Sequence, residues 1–174
     1  MEQPLRLFFA LEVPEETRFE LDKFGVTLER PWKPVPPERM HITLAFMGQV
    51  PETKLAEVIK AGEDIALACS SFNVEISDTS CFPENGEPRV LYAKVQGGEA
   101  LNQLAEKLRE GLGELVDAKK FKAHLTLARS RGGWARKILR KFRGSWSVDN
   151  FVLLQSQLSE KEPRYELIRR FTLR

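Results

Sequence analysis

Histidine and cysteine are scarce in this 174-residue chain, with two of each. Cys69 and Cys81 lie far apart and show no metal-ligand spacing, which argues against a disulfide framework and for two reduced, buried thiols. Long hydrophobic runs are missing as well. The longest stretch without a charged side chain is 12 residues, Met40 to Pro51, and it contains His41, Thr43 and Gln49. A membrane helix needs about 20 mostly apolar residues, so none is expected. The N-terminal residues lack the basic start, apolar middle and small-residue cleavage site of a secretory signal, and the chain reads as cytoplasmic. Low-complexity segments and solenoid-length repeats are also absent.

What is present is the composition of a folded domain. Hydrophobic residues make up 42% and charged residues 30% of the chain, enough apolar surface to offset chain entropy. We expect one domain over residues 1–174, built of two small lobes and monomeric at this size. Charge is divided unevenly. Residues 1–116 carry 12 basic and 20 acidic side chains, whereas residues 117–174 carry 15 basic and 5 acidic. Seven basic residues and no acid fall between Arg129 and Arg143. One-sided positive potential of this kind suits an anionic partner, a phosphate or a nucleic acid.

Periodicity predicts an alternation of strands and helices. Strands are expected at Leu5–Val13, Met40–Gly48, Phe72–Phe82, Arg89–Gln96 and Phe121–Arg129, with Val148–Leu158 and Tyr165–Leu173 closing as a hairpin-like pair. Helices are expected after Pro14, over Pro51–Cys69, over Ala100–Leu115, and as a short basic helix at Trp134–Phe142. The proline-rich PWKPVPPE, Pro31–Glu38, is excluded from a central strand or a helix interior. Each half offers strands, a helix and then a strand of similar sequence, which points to an α+β fold of two related lobes with antiparallel or mixed sheets.

Both histidines sit in nearly the same frame, HITLAF at His41–Phe46 and HLTLAR at His124–Arg129. With seven threonines in the chain, chance placement of Thr two residues after both histidines has a probability on the order of 0.002. In a strand, alternate side chains share a face. His41 and Thr43 therefore point one way, Ile42 and Leu44 the other, and the same holds for His124 and Thr126 against Leu125 and Leu127. Two such strands facing one cleft present two imidazoles and two hydroxyls to a single ligand.

That set suits phosphodiester hydrolysis. One neutral imidazole accepts a proton from water, one charged imidazole protonates the departing oxygen, and the hydroxyls hydrogen-bond the non-bridging oxygens. The motifs are nearly interchangeable, so the residues leave open which histidine is acid and which is base. Zinc normally takes three or four ligands, but neither motif contains an Asp or Glu and neither cysteine is grouped with a histidine. No metal and no cofactor is expected. A GxSxG elbow for serine catalysis is absent.

The paired H-x-T-x motifs, 83 residues apart, resemble the two-histidine (2H) phosphoesterase superfamily. The opening LRLFFALEVPEE and the blocks PPERMHITLAFMGQV, CFPENGEPRVLYAKV, FKAHLTLARS and QSQLSEKEPRYELIRRF look like the LigT-like RNA 2′,3′-cyclic phosphodiesterases, also called 2′-5′ RNA ligases. The resemblance implies a bilobal α+β fold with pseudo-twofold symmetry, sheets around a central cleft and helices outside. It implies metal-independent opening of a terminal 2′,3′-cyclic phosphate to a 2′-phosphate, with weak reversible ligation to 2′-5′ linkages. By carry-over His41 and Thr43 form the first motif, with His41 the proton donor. His124 and Thr126 form the second, with His124 the proton acceptor. Relatives often have Asn-Leu where this chain has Arg39-Met40, Lys where it has Ala45, and Pro where it has Ala123.

Around the motifs, Arg129 is expected to bind phosphate or line the substrate path. Phe9 and Phe46 are the aromatics expected beside the motif strands for base stacking, and Lys120 and Lys122 extend the positive surface. The expected partners are RNA ends or nucleotides bearing a 2′,3′-cyclic phosphate. Two other readings are carried: a related phosphodiesterase for a 2′-5′ oligoadenylate or a cyclic ADP-ribose phosphate, and a non-catalytic nucleotide- or RNA-binding module.

Overall fold

The computed structural model describes residues 3–174, so residues 1 and 2 of the expected domain lie outside the described residues. The leading strand β1 (Leu5–Glu12) is buried on both faces from Leu7 to Leu11. Leu7, Phe9 and Leu11 join the large apolar core, while Phe8 and Ala10 form a smaller cluster with Val152 on the opposite face. Helix α1 (Glu15–Gly25) follows Pro14, with Glu15 and Glu16 in its first turn and Lys23 in its last, each suited to the helix dipole. The proline-rich connection holds the three-residue strand β2 (Trp32–Pro34) and a 3₁₀ turn at Pro37–Arg39. Strand β3 (His41–Val50) runs into a 3₁₀ turn and helix α2 (Leu55–Ala68). Strands β4 (Phe72–Phe82) and β5 (Val90–Gln96) then precede helix α3 (Gly98–Leu112). Strands β6 (His124–Ser130), β7 (Gly144–Val148), β8 (Asn150–Gln157) and β9 (Arg164–Thr172) complete the chain.

Two antiparallel sheets result, one in the order β3-β1-β8-β9 and the other β2-β6-β5-β4-β7. The units β1-α1-β3 and β5-α3-β6 correspond: in each a helix separates two strands that lie side by side, and the second strand carries a histidine motif. β2 pairs only with β6, at the sheet edge, where Pro34 deprives no inner ladder of a donor. Leu101, Leu104, Leu108 and Leu112 bury one face of α3, each stabilising the fold by roughly 2 kcal/mol. That helix ends at Gly113, whose φ of +55° side-chain-bearing residues rarely adopt. One continuous core joins the sheets and helices of both lobes.

Two expectations about the fold need correction, and one strand is unannounced. Trp134–Phe142 is not helical. Its like charges recur four apart, Arg136 with Arg140 and Lys137 with Lys141, which opposes a helix. The backbone instead lies along β4, where Thr79 donates to the Ile138 carbonyl at 2.6 Å, accepts from the Arg140 amide at 2.8 Å, and donates its own amide to the Arg140 carbonyl at 2.9 Å. Gly144–Val148 forms a strand that periodicity does not announce. Of the cysteines only Cys81 is buried, and Cys69 is partly exposed.

Candidate active site

His41 and His124 are the first residues of β3 and β6, and both line one cavity of about 790 Å³ together with Thr43, Thr126 and Arg129. Ile42 and Leu44 behind the first motif, and Leu125 and Leu127 behind the second, are buried in the core. Each imidazole is pinned in the same manner. His41 Nδ1 lies 2.7 Å from the Arg39 carbonyl oxygen, and His124 Nδ1 lies 2.7 Å from that of Lys122. A carbonyl only accepts, so each Nδ1 carries the hydrogen and each Nε2 is the nitrogen left for other chemistry. The Thr43 hydroxyl donates to His41 Nε2 at 3.1 Å.

Aromatic rings fix both imidazoles. Phe8 and Tyr165 lie 5.0 and 5.2 Å from His41 between ring centres. Phe82 and Tyr92 lie 5.2 and 5.5 Å from His124. Phe46 lines the cavity, with the Arg6 guanidinium 5.1 Å from its ring centre. Phe9 does not reach the cavity, contrary to expectation. It is fully buried against Phe151 and Phe171, both at 5.8 Å, because alternation along β1 turns it to the core and turns Phe8 to the cleft. The same period-two rule that places His41 with Thr43 identifies Phe8 once β1 and β3 are known to pair.

The repeated Leu-Ala after each threonine proves to be structural. In the pairing of β1 with β3, Ala10 lies opposite Thr43 but Phe9 lies opposite Ala45, so Leu44 is an extra residue. In the pairing of β5 with β6, Tyr92 lies opposite Thr126 but Leu91 lies opposite Ala128, so Leu127 is extra. A one-residue bulge reverses which face later residues occupy. It buries both alanines, to 4% and 0% exposure, and brings the fifth residue after each histidine, Phe46 or Arg129, back to the cavity. Phe46 and Arg129 therefore occupy corresponding places in the two motifs.

Positive charge dominates this cavity. Arg6, Lys33, Arg39, Arg129, Arg131 and Lys161 line it, of which Arg129 alone is expected in this role from the sequence. Lys122 lies instead 4.9 Å from the Phe82 ring centre and pairs with Glu84 at 3.2 Å. The electrostatic consequence falls on both imidazoles. Burial, followed by the charges of Arg129, His124 and Arg39, lowers His41 to about 4 against the opposing Arg39 carbonyl bond. Burial and then Arg129 and Lys122 lower His124 as well, against its own carbonyl bond. At neutral pH both rings are mainly uncharged, and an arriving anion raises both.

The donors gathered here are imidazole, hydroxyl and guanidinium groups. Among the described residues no three His, Cys, Asp or Glu side chains cluster in a way that could hold a metal ion. A second cavity, about 920 Å³, lies on the lobe that carries His124, beside Thr79, Tyr92, Lys94 and Lys122, and neither histidine lines it. No helix among the described residues is long and apolar enough to cross a membrane.

Comparison with known proteins identifies the family. The model of the 2′-5′ RNA ligase superfamily matches residues 19–160. The RNA 2′,3′-cyclic phosphodiesterase of Thermus thermophilus is 37% identical over 181 residues, covering 98% of this chain and 91% of that protein. A crystal structure of a protein from the same organism superposes with a TM-score of 0.90 at 37% identity, over 97% of both chains. Apo LigT of Escherichia coli superposes with a TM-score of 0.85 at 27% identity, over 98% of both, and LigT has also been solved with phosphate and with 3′-AMP. Two pinned imidazoles on matched strands, and relatives that align along nearly the whole length, lead to one conclusion: the chain belongs to the 2′-5′ RNA ligase superfamily.

Proposed function

We propose that this protein hydrolyses RNA 2′,3′-cyclic phosphate ends to 2′-phosphomonoesters, with its own side chains as acid and base. The observation that carries the reading is the convergence of two Nδ1-anchored imidazoles on one cationic cavity. Relatives named as RNA 2′,3′-cyclic phosphodiesterases, and the phosphate and 3′-AMP complexes of LigT, support the substrate class.

In the proposed reaction His124 Nε2 takes a proton from water as the water oxygen attacks phosphorus. The bond from phosphorus to the 3′ oxygen breaks, and His41 Nε2 delivers its proton to that oxygen. The product carries a 2′-phosphate and a free 3′-hydroxyl. His41 enters this step charged, and the incoming phosphate supplies the potential that raises it from its depressed value. Once His41 is protonated, its Nε2 hydrogen is directed at the 3′ oxygen, and the Thr43 hydroxyl, which no longer donates to Nε2, turns its hydrogen toward a phosphate oxygen. Thr126 and Arg129 bind the other non-bridging oxygens, where negative charge grows in the transition state. A 5′-hydroxyl in place of water gives a 2′-5′ linkage by the same steps.

The test is incubation with a 2′,3′-cyclic nucleotide or cyclic-phosphate-ended RNA in chelator across pH 5–8, with the product isomer identified. Turnover to the 2′-phosphate is expected. No turnover, or a strict metal requirement, overturns the proposal. His41→Ala and His124→Ala should each lower kcat by about 10² to 10⁴-fold, and Thr43→Ala and Thr126→Ala by less.

A further inference from the structure

One phosphate does not account for all the positive charge in the cavity, and part of it is already engaged. Glu162 lies on the turn between β8 and β9 and places one carboxylate oxygen 2.8 Å from Lys33 Nζ, the other 3.2 Å from Arg39 Nη2. The three come from separate parts of the fold: the edge strand β2 of one sheet, the 3₁₀ turn ahead of His41, and the turn that closes the other sheet. All three line the same cavity as the histidines, and Glu162 is the one acidic side chain among its described lining residues. The hydrogen bond from Lys33, and then the charge of Arg39 beside it, holds the Glu162 carboxyl below its usual range. Arg39 is only 18% exposed at its side chain, so its guanidinium is held at this rim, and its carbonyl anchors His41.

We propose that Lys33 and Arg39 form a second phosphate subsite, for the phosphate on the 5′ side of the terminal nucleotide, and that Glu162 occupies it until RNA arrives. This rests on reading the cavity as a cyclic-phosphate site. A carboxylate and a phosphodiester each bring one negative charge and paired acceptor oxygens to the same two donors, so the exchange conserves charge. A cyclic mononucleotide has no such phosphate and leaves the ion pairs in place. An RNA strand displaces Glu162 and gains both cations. Glu162 is thus a specificity residue that weighs against strands, and Lys33 and Arg39 are the groups that favour them.

The same contacts could be read as a staple fastening one turn to another, and the two accounts differ in sign. A staple fails alike whichever end is cut. A subsite occupied by its own carboxylate responds in opposite directions. The experiment compares a dinucleotide ending in a 2′-phosphate with the corresponding nucleoside 2′-monophosphate by calorimetric binding. In parallel it compares kcat/KM for the two 2′,3′-cyclic counterparts. Each variant is reported as the ratio of dinucleotide to mononucleotide, with melting temperature as a control for folding. Glu162→Gln should raise that ratio about fivefold, and Lys33→Gln and Arg39→Gln should lower it about fivefold. Ratios that move in the same direction in all three variants, or that stay within about twofold of the parent, overturn the subsite. If neither cyclic substrate turns over, the proposed activity falls, while the binding ratios still decide the subsite.

Discussion

His41 combines burial, neighbouring positive charge and a hydrogen bond that fixes its tautomer, and these have a measurable cost to the fold. An unfolded chain protonates this ring near 6.5, the folded one near 4. Between those values the unfolded state binds the extra proton, so stability is complete above about pH 6.5 and declines as pH falls toward 4, by up to about 3 kcal/mol. His41→Gln removes this dependence. Its melting temperature should gain on the parent's as pH is lowered from 7.5 to 5, and a constant gap would refute the depressed value. The same depression predicts proton uptake with ligand. Binding of inorganic phosphate or a 2′-nucleotide should tighten from pH 8 to pH 5.5, and the heat of binding should vary with the ionisation enthalpy of the buffer. Lost uptake in the His41→Gln and His124→Gln variants would assign the protons.

At the scale of the strand and the turn, the motif strands show what sequence carries and what it leaves out. Alternation places His41 with Thr43 and His124 with Thr126 without any structure, because period two is a local property of the chain. It fails three residues later. The bulges at Leu44 and Leu127 reverse the faces, and that reversal arises from pairing with β1 and β5, which the motif alone does not encode. The doubled Leu-Ala is visible in the sequence, and its role is not. Choosing Phe9 over Phe8 fails for the same reason: facing is decided by which strand lies alongside. The basic segment 131–143 misleads in the opposite way, its apolar residues spaced as on a helix while its backbone is held by Thr79 of β4 and by the Trp32 indole of β2. Thr79→Val leaves the amide bond to Arg140 and removes both hydroxyl bonds. It should destabilise the protein by about 1–2 kcal/mol, lower the melting temperature by roughly 4 °C, and speed tryptic cleavage after Arg136, Lys137 and Arg140. Unchanged cleavage would show that other contacts hold this segment.

At the scale of the molecule, the lobe-like sheets meet over a common apolar interior rather than across a linker. The cavity draws Arg6, Lys33 and Arg39 from the acidic part of the sequence and Arg129, Arg131 and Lys161 from the basic part, so charge segregated along the chain is pooled in space. Binding of single-stranded RNA should therefore weaken with salt, log K falling by about 0.7 per phosphate neutralised for each unit of log salt. A slope near zero would place the strand elsewhere. Because both walls of the cavity are rooted in one interior, rotating one against the other would tear close-packed side chains apart. Small-angle scattering should return a radius of gyration of about 16 Å, equal with and without a bound 2′-nucleotide. Such a vessel works as a gauge with welded jaws. It sorts its guests by an opening whose walls are already set, and each cycle finishes when the product diffuses out and the Glu162 carboxylate returns to its two cations.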